Sequence, residues 1–166
     1  IEQALKRYKN KIKVITLVHL AGKVCNLEAI SRIAKKYNCL IVEDASHAAG
    51  AVYLNKNHIE NKIGNNKYSI ATAFSFNAIK HIAMGEGGCV STNDKKIANK
   101  IINLRSHGML KNKNHFIYKP NEIAPWYYEM QELGWNYRAD EISSALGLSQ
   151  LKRLQRGIFK RRTFLC

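Results

Sequence analysis

Acidic residues are scarce: Asp and Glu total 12 against 27 Lys and Arg, a formal charge of +15. Proline is scarcer still, with two in 166 residues. Apolar residues make up 46% and charged residues 23%, which is globular composition and excludes disordered, collagen-like and low-complexity chains. Apolar runs are short, as at Val14–Val18 with Thr16 inside, far from the roughly 20 residues that span a bilayer. The four cysteines, Cys25, Cys39, Cys89 and Cys166, form no C-x-x-C pair and have no histidine at zinc spacing. Cys39 and Cys89 fall in apolar runs and read as buried thiols. No residue set suits a metal.

The positive charge invites a nucleic-acid reading, but its distribution argues against one. Basic pairs such as Lys35-Lys36, Lys95-Lys96 and Arg161-Arg162 are scattered beside apolar residues, as on solvated helix faces. No RRM, KH, zinc-finger or homeodomain pattern is present. The field would instead attract small anions, phosphorylated ones included. The N-terminal Ile1-Glu2-Gln3-Ala4 is neither a Met start nor a signal peptide, so a cytoplasmic location and an internal piece of a longer chain are expected.

Strand and helix patterns alternate. Lys13–His19 reads as a β-branched strand, Asn26 as the cap of a helix through Tyr37, and Cys39–Val42 as a continuously apolar strand. A strand, helix and strand within about 30 residues is a βαβ unit, so these strands are expected to be parallel and buried on both faces. A hairpin is expected over Ala51–Leu54 and Asn57–Ile63, and strands at Ile70–Phe76 and Cys89–Ser91. Asn93 reads as the cap of a helix with Ile97, Ile101 and Leu104 facing the core. Ser106–Gln131 reads as loop, with both prolines, and Asp140 to about Leu154 as a helix. No linker marks a domain boundary. The class is α/β with a mostly parallel sheet flanked by helices. In such sheets ligands bind beyond the carboxyl ends of the strands. Attention therefore falls on Asp44–His47, Phe76–Lys80 and the turn Gly85-Glu86-Gly87-Gly88.

Each of these has a bland reading. An Asp ending a strand is commonly a cap or turn residue, a lone lysine is commonly solvated, and a glycine cluster is commonly a turn. The glycine turn is no P-loop, because no Gly-Lys-Ser/Thr follows. Ser75 and Lys80 do not match a Ser-x-x-Lys nucleophile.

Together the motifs resemble one family. The set comprises Glu43-Asp44-Ala45-Ser46-His47-Ala48-Ala49-Gly50, Phe74-Ser75-Phe76-Asn77-Ala78-Ile79-Lys80 with its glycine turn, and Leu133-Gly134-Trp135-Asn136-Tyr137-Arg138. With His19–Asn26, Arg105-Ser106-His107-Gly108 and Pro125–Glu129, it is similar to the DegT/DnrJ/EryC1/StrS sugar aminotransferases, which use pyridoxal 5'-phosphate (PLP). The nearest branch aminates a UDP-linked 4-keto-6-deoxy-N-acetyl sugar on the way to pseudaminic acid. Positions 77–79 depart from that branch's usual His-Pro-Val.

The resemblance implies an aspartate aminotransferase-like, fold type I large domain, incomplete, over residues 1–166, ending in the helix that leads to a small domain. It implies Lys80 as the catalytic lysine that holds the PLP aldehyde as a Schiff base and carries protons. It implies cofactor contacts from Asp44 (pyridine nitrogen), His47 (ring hydroxyl oxygen), Ser75 (phosphate) and Asn136, reaching the phosphate of a neighbouring subunit in a homodimer. Glutamate would be the amine donor and a UDP-sugar the acceptor, with no membrane or nucleic-acid partner. The chain by itself is expected to have little or no transaminase activity, and the alternative is a non-catalytic remnant or a binding or dimerisation module of the same fold.

Overall fold

The computed structural model describes residues 1–118 and 122–164; Pro120, one of the two prolines noted above, and Cys166 lie outside them. The chain divides into two compact units, Ile1–Asn93 with Asp140–Cys166, and Asp94–Ala139.

In the first unit, α1 (Glu2–Tyr8) precedes β1 (Val14–Val18), α2 (Leu27–Lys36) and β2 (Leu40–Asp44). The hairpin β3 (Val52–Leu54) and β4 (Glu60–Lys62) follows, then β5 (Ala71–Ser75) and β6 (Gly88–Ser91). The main sheet runs β1-β2-β5-β6. Its first three strands are parallel, and β6 returns antiparallel to β5. The Asn26 side chain accepts the Ala29 N–H at 3.1 Å, as an N-cap does for one of a helix's unpaired first-turn donors. From there α2 lays Leu27 and Ala34 onto Leu17 and Ile41 of the sheet. Leu5 of α1 and Ile63 complete this core.

Alternation along the strands gives the sheet two unlike faces. Leu17, Ile41, Glu43 and Thr72 point into the covered face and are buried. Val14, Val18, Leu40 and Val90 share the opposite face and stay 44–51% exposed, so burial of both faces is not observed. The physical reason is layer count: the core cluster gathers on the α2 side alone. Asp44 lies on this second face, one residue from Glu43 on the first.

The glycine turn behaves as its composition suggests. A Cβ on Gly88 would sit 2.5 Å from the Phe74 carbonyl oxygen, so the β5–β6 pair closes only over a residue without a side chain. α4 (Glu141–Phe164) runs well beyond Leu154, and the Asp140 carboxylate accepts the Ser143 N–H at 2.8 Å at its start. Among the described residues no helix is long and apolar enough to cross a membrane.

In the second unit, α3 (Lys95–Leu104) is capped by Asp94, whose carboxylate accepts the N–H groups of Lys96 and Ile97. Asn93, expected in that role, is itself the last residue of this stretch of the first unit and donates to the Asn65 carbonyl within that unit. The expected loop contains a short antiparallel pair, β7 (Met109–Leu110) and β8 (Glu129–Met130). Its organiser is Glu129, 8% exposed. The carboxylate accepts the Ile117 N–H at 2.7 Å, the Tyr118 N–H at 3.0 Å, the Tyr127 hydroxyl and the Gln131 amide. Burial pushes this carboxyl upward, and the four donors outweigh it, leaving it below the ordinary glutamate range. Glu129→Ala is therefore expected to cost the Ile117 and Tyr118 amides roughly tenfold in hydrogen-exchange protection, while β1 and β2 amides keep theirs.

Candidate active site

Two loops carry the candidate residues of the first unit. Asp44 ends β2, and the chain turns at once because the Ser46 N–H donates to Asp44 Oδ1 at 3.0 Å. This brings His47 around to the same end of the sheet. The second loop leaves β5 after Ser75 and returns to β6 at Gly88. Its base is closed by the Phe76 N–H on the Gly87 carbonyl (2.8 Å) and the Met84 N–H on the Phe76 carbonyl (2.9 Å). Across it, Asn77 Nδ2 donates to Glu86 Oε1 at 2.7 Å, and the Lys80 N–H donates to the Asn77 carbonyl at 2.9 Å. The Asn77–Glu86 staple was missed in the sequence, where Glu86 reads merely as one residue of a flexible turn.

Because β2 and β5 are parallel neighbours, the two loops leave the same end of the sheet. Hydrogen bonds from the Ser46 hydroxyl and amide hold the Asp44 carboxyl below the usual aspartate range, with His47 and Lys80 close enough to add to the effect. Asp44 is thus an anion that feels the positive charge of Lys80 and the His47 imidazole. Ser75 lies on the same face of the sheet as Asp44, since Asp44 pairs with Ala73 and Ser75 is two residues on. Its Oγ accepts the Asn77 N–H at 3.4 Å. Asp44, His47, Ser75 and Lys80 are all partly buried. Asn136 lies in the second unit, exposed, bridging Ser106 between Trp135 and Tyr137, whose rings stack 5.5 Å apart.

α4 passes over both loops. Gly147 meets Met84, and a Cβ on Gly50 would strike Ile158. Between α4 and the Lys80 loop lies a cleft of about 400 Å³ lined by His81, Arg153, Arg156, Lys160 and Arg161. Burial, and then Arg161, His47 and Lys80, hold the His81 imidazole below the ordinary histidine range. The unfolded chain therefore binds the proton first, and His81 makes stability fall as pH drops from about 6.5 towards the lower folded-state value. The urea midpoint should decline between pH 7 and pH 5 by less in His81→Gln than in the native chain. Carboxylates with lowered values, Asp44, Glu129 and Asp140 among them, lose their contribution only further down, below about pH 4.5.

A carboxylate, an imidazole, a hydroxyl and a lysine amine carried by two loops at one end of parallel strands suit a compact ligand that bears negative charge and a basic ring nitrogen. Pyridoxal phosphate is such a group, and the residues fit it: an amine for its aldehyde, an anion for its ring nitrogen, a donor and a hydroxyl for its oxygens. Among the described residues, no three or more His, Cys, Asp or Glu side chains are grouped to hold a metal ion.

The model of the DegT/DnrJ/EryC1/StrS aminotransferase family matches residues 1–165. The chain is 41% identical over 153 residues to the UDP-4-amino-4,6-dideoxy-N-acetyl-beta-L-altrosamine transaminase of Helicobacter pylori, covering 92% of this chain and 36% of that protein. The structure of Helicobacter pylori PseC, an aminotransferase involved in pseudoaminic acid biosynthesis, superposes with a TM-score of 0.75 at 36% identity, over 93% of this chain and 37% of that one. Spr1654 from Streptococcus pneumoniae in its PMP form gives a TM-score of 0.78 at 25% identity, over 99% of this chain and 43% of that one. The chain thus spans well under half the length of the relatives it matches. With motifs, sheet and family model in agreement along nearly all its residues, the chain belongs to the DegT/DnrJ/EryC1/StrS aminotransferase family.

Proposed function

We propose that this chain is part of the cofactor-binding large domain of an enzyme that transfers an amine from glutamate to a nucleotide-linked 4-keto-6-deoxy sugar, using pyridoxal phosphate. The observation that carries the reading is that β2 and β5, parallel neighbours, deliver the Asp44–His47 turn and the Ser75–Lys80 loop to the same end of the sheet. When bound, the cofactor would supply an electron sink for the carbon that loses its proton. Lys80 would hold the cofactor aldehyde and then carry a proton to and from the reacting carbon. Asp44 would keep a proton on the ring nitrogen, His47 would donate to the ring hydroxyl oxygen, and Ser75 would hold the phosphate.

Asn136 would complete the phosphate site of a second copy. Its exposure supports that role, since a residue serving a neighbouring subunit must face outward. The sugar is the finest part of the proposal and rests on relatives whose names specify an altrosamine or pseudoaminic acid pathway. The test has two stages. PLP is added to the purified chain, borohydride follows, and peptide mass spectrometry locates the adduct; attachment to Lys80 supports the reading and attachment elsewhere removes it. Glutamate-dependent amination of a UDP-4-keto-6-deoxy-N-acetylhexosamine, followed by NMR, tests the substrate.

A further inference from the structure

On the covered face, directly behind Asp44, the sheet carries a row of buried polar groups. His19 is 0% and Glu43 2% exposed, and His19 Nε2 lies 2.8 Å from Glu43 Oε2. The ring's other nitrogen, Nδ1, accepts the Cys25 N–H at 3.2 Å. A nitrogen that accepts carries no proton, so His19 is the Nε2–H tautomer and donates to Glu43. The second Glu43 oxygen accepts the Ser69 hydroxyl.

These contacts pin both ends of the segment from His19 to Cys25. Inside it the Gly22 N–H donates to the His19 carbonyl (3.1 Å) and the Lys23 N–H to the Leu20 carbonyl (3.0 Å). Ala21 and Gly22 are forced to positive φ, +54° and +81°. Ala is uncommon there, so the surroundings must hold it. The result turns the Ala21 N–H onto His47 Nδ1 at 3.4 Å and brings Gly22 so close that a Cβ would lie 3.2 Å from the His47 carbonyl oxygen.

We propose that His19 and Glu43 are positioning residues that select the tautomer of His47 through the Leu20–Gly22 turn. Because the Ala21 N–H occupies Nδ1, the His47 proton resides on Nε2, which is left as the donor. The relay rests on the proposed function only for the identity of its acceptor, the cofactor's ring hydroxyl oxygen. The selection itself operates without cofactor. One backbone hydrogen bond biases such an equilibrium by roughly three- to tenfold.

The test is ¹⁵N NMR of the full chain labelled at histidine, without cofactor, at about pH 8.5, where an ordinary imidazole is neutral. Both His19 and His47 are expected as Nε2–H. Glu43→Gln, whose carbonyl oxygen still accepts from His19, should leave His47 unchanged. Glu43→Leu should relax the His47 ratio about three- to tenfold towards that of a free imidazole. Gly22→Val, nearer the surface, breaks the relay at its other end and should do the same if the Glu43→Leu chain does not fold. An Nδ1–H His47 in the native chain, or a His47 ratio unmoved by the breaking variants, overturns the proposal. PLP uptake by the same samples is read separately, so a chain that shows the tautomers yet takes no PLP would refute the function and leave the relay standing.

Discussion

Lys80→Ala is expected to abolish the borohydride-fixed adduct altogether, while noncovalent PLP binding through Asp44, His47 and Ser75 weakens far less. The expectation follows from what the loop is built to do. The Asn77–Glu86 staple and the turn from Asn77 to Lys80 fix the backbone of Lys80 at the end of the sheet where Asp44 closes β2. Lys80→Arg separates charge from chemistry. Arginine keeps the positive charge beside Asp44 but stays protonated at any working pH and cannot attack an aldehyde. If the lysine served only as a counter-ion, Lys80→Arg would behave as the native chain. As the proton carrier, its loss should cost at least the 10²–10⁴-fold typical of a removed general acid-base, and small added amines should recover part of it. An adduct of native yield in Lys80→Ala, with its mass on another lysine, would end the assignment.

The features legible in the sequence were those with local signatures. The Asn26 cap, the α2 apolar stripe and the β1–α2–β2 unit each occupy a few consecutive residues whose spacing states their structure. The motif around Lys80 was legible in its residue types, though not in the staple that shapes it. Where neighbours compete, the signal blurred: Asn93 and Asp94 are both good caps, and tertiary contact drew Asn93 to the Asn65 carbonyl. α4 outran its expected end because Gly157 weakens a helix by only about 1 kcal/mol relative to alanine, which the packing of Leu154 and Ile158 against Gly50 can offset.

The His19–Glu43 pair was illegible for a stronger reason. Its members lie 24 residues apart and meet only because Leu17 registers with Glu43 across the parallel pair. Nothing local distinguishes them from surface residues flanking a strand. The β7–β8 pair, two residues per strand and organised by the Glu129 carboxylate, is similarly non-local. Exposure of the sheet's second face was beyond reach as well, because an apolar run specifies a face that can be covered, not the layer that covers it.

Asp44→Asn is expected to separate binding from chemistry in the opposite sense to Lys80→Ala: the adduct on Lys80 should still form within a few-fold, while proton removal from the amine donor should nearly cease. Asparagine keeps an oxygen for the Ser46 N–H, so the turn that delivers His47 survives, and only the charge is lost. A carboxylate about 4 Å from a protonated ring nitrogen, at an effective dielectric near 20, attracts it by roughly 4 kcal/mol. That corresponds to about three pKa units before desolvation is subtracted, or up to about a thousandfold in the fraction of rings bearing the proton. The charge is reliably present, because the Ser46 hydrogen bonds and then the neighbouring His47 and Lys80 hold the Asp44 carboxyl below its usual range. It is ionised at neutral pH and loses its charge only as pH falls through that lowered value, so an acid limb of activity near pH 6 cannot be its titration. Deuterium exchange of the glutamate α-hydrogen measures the proton step, and reduction followed by mass spectrometry measures the attachment. If Asp44→Asn exchanges that hydrogen at the native rate, Asp44 is merely the turn residue that its position at a strand end would also explain.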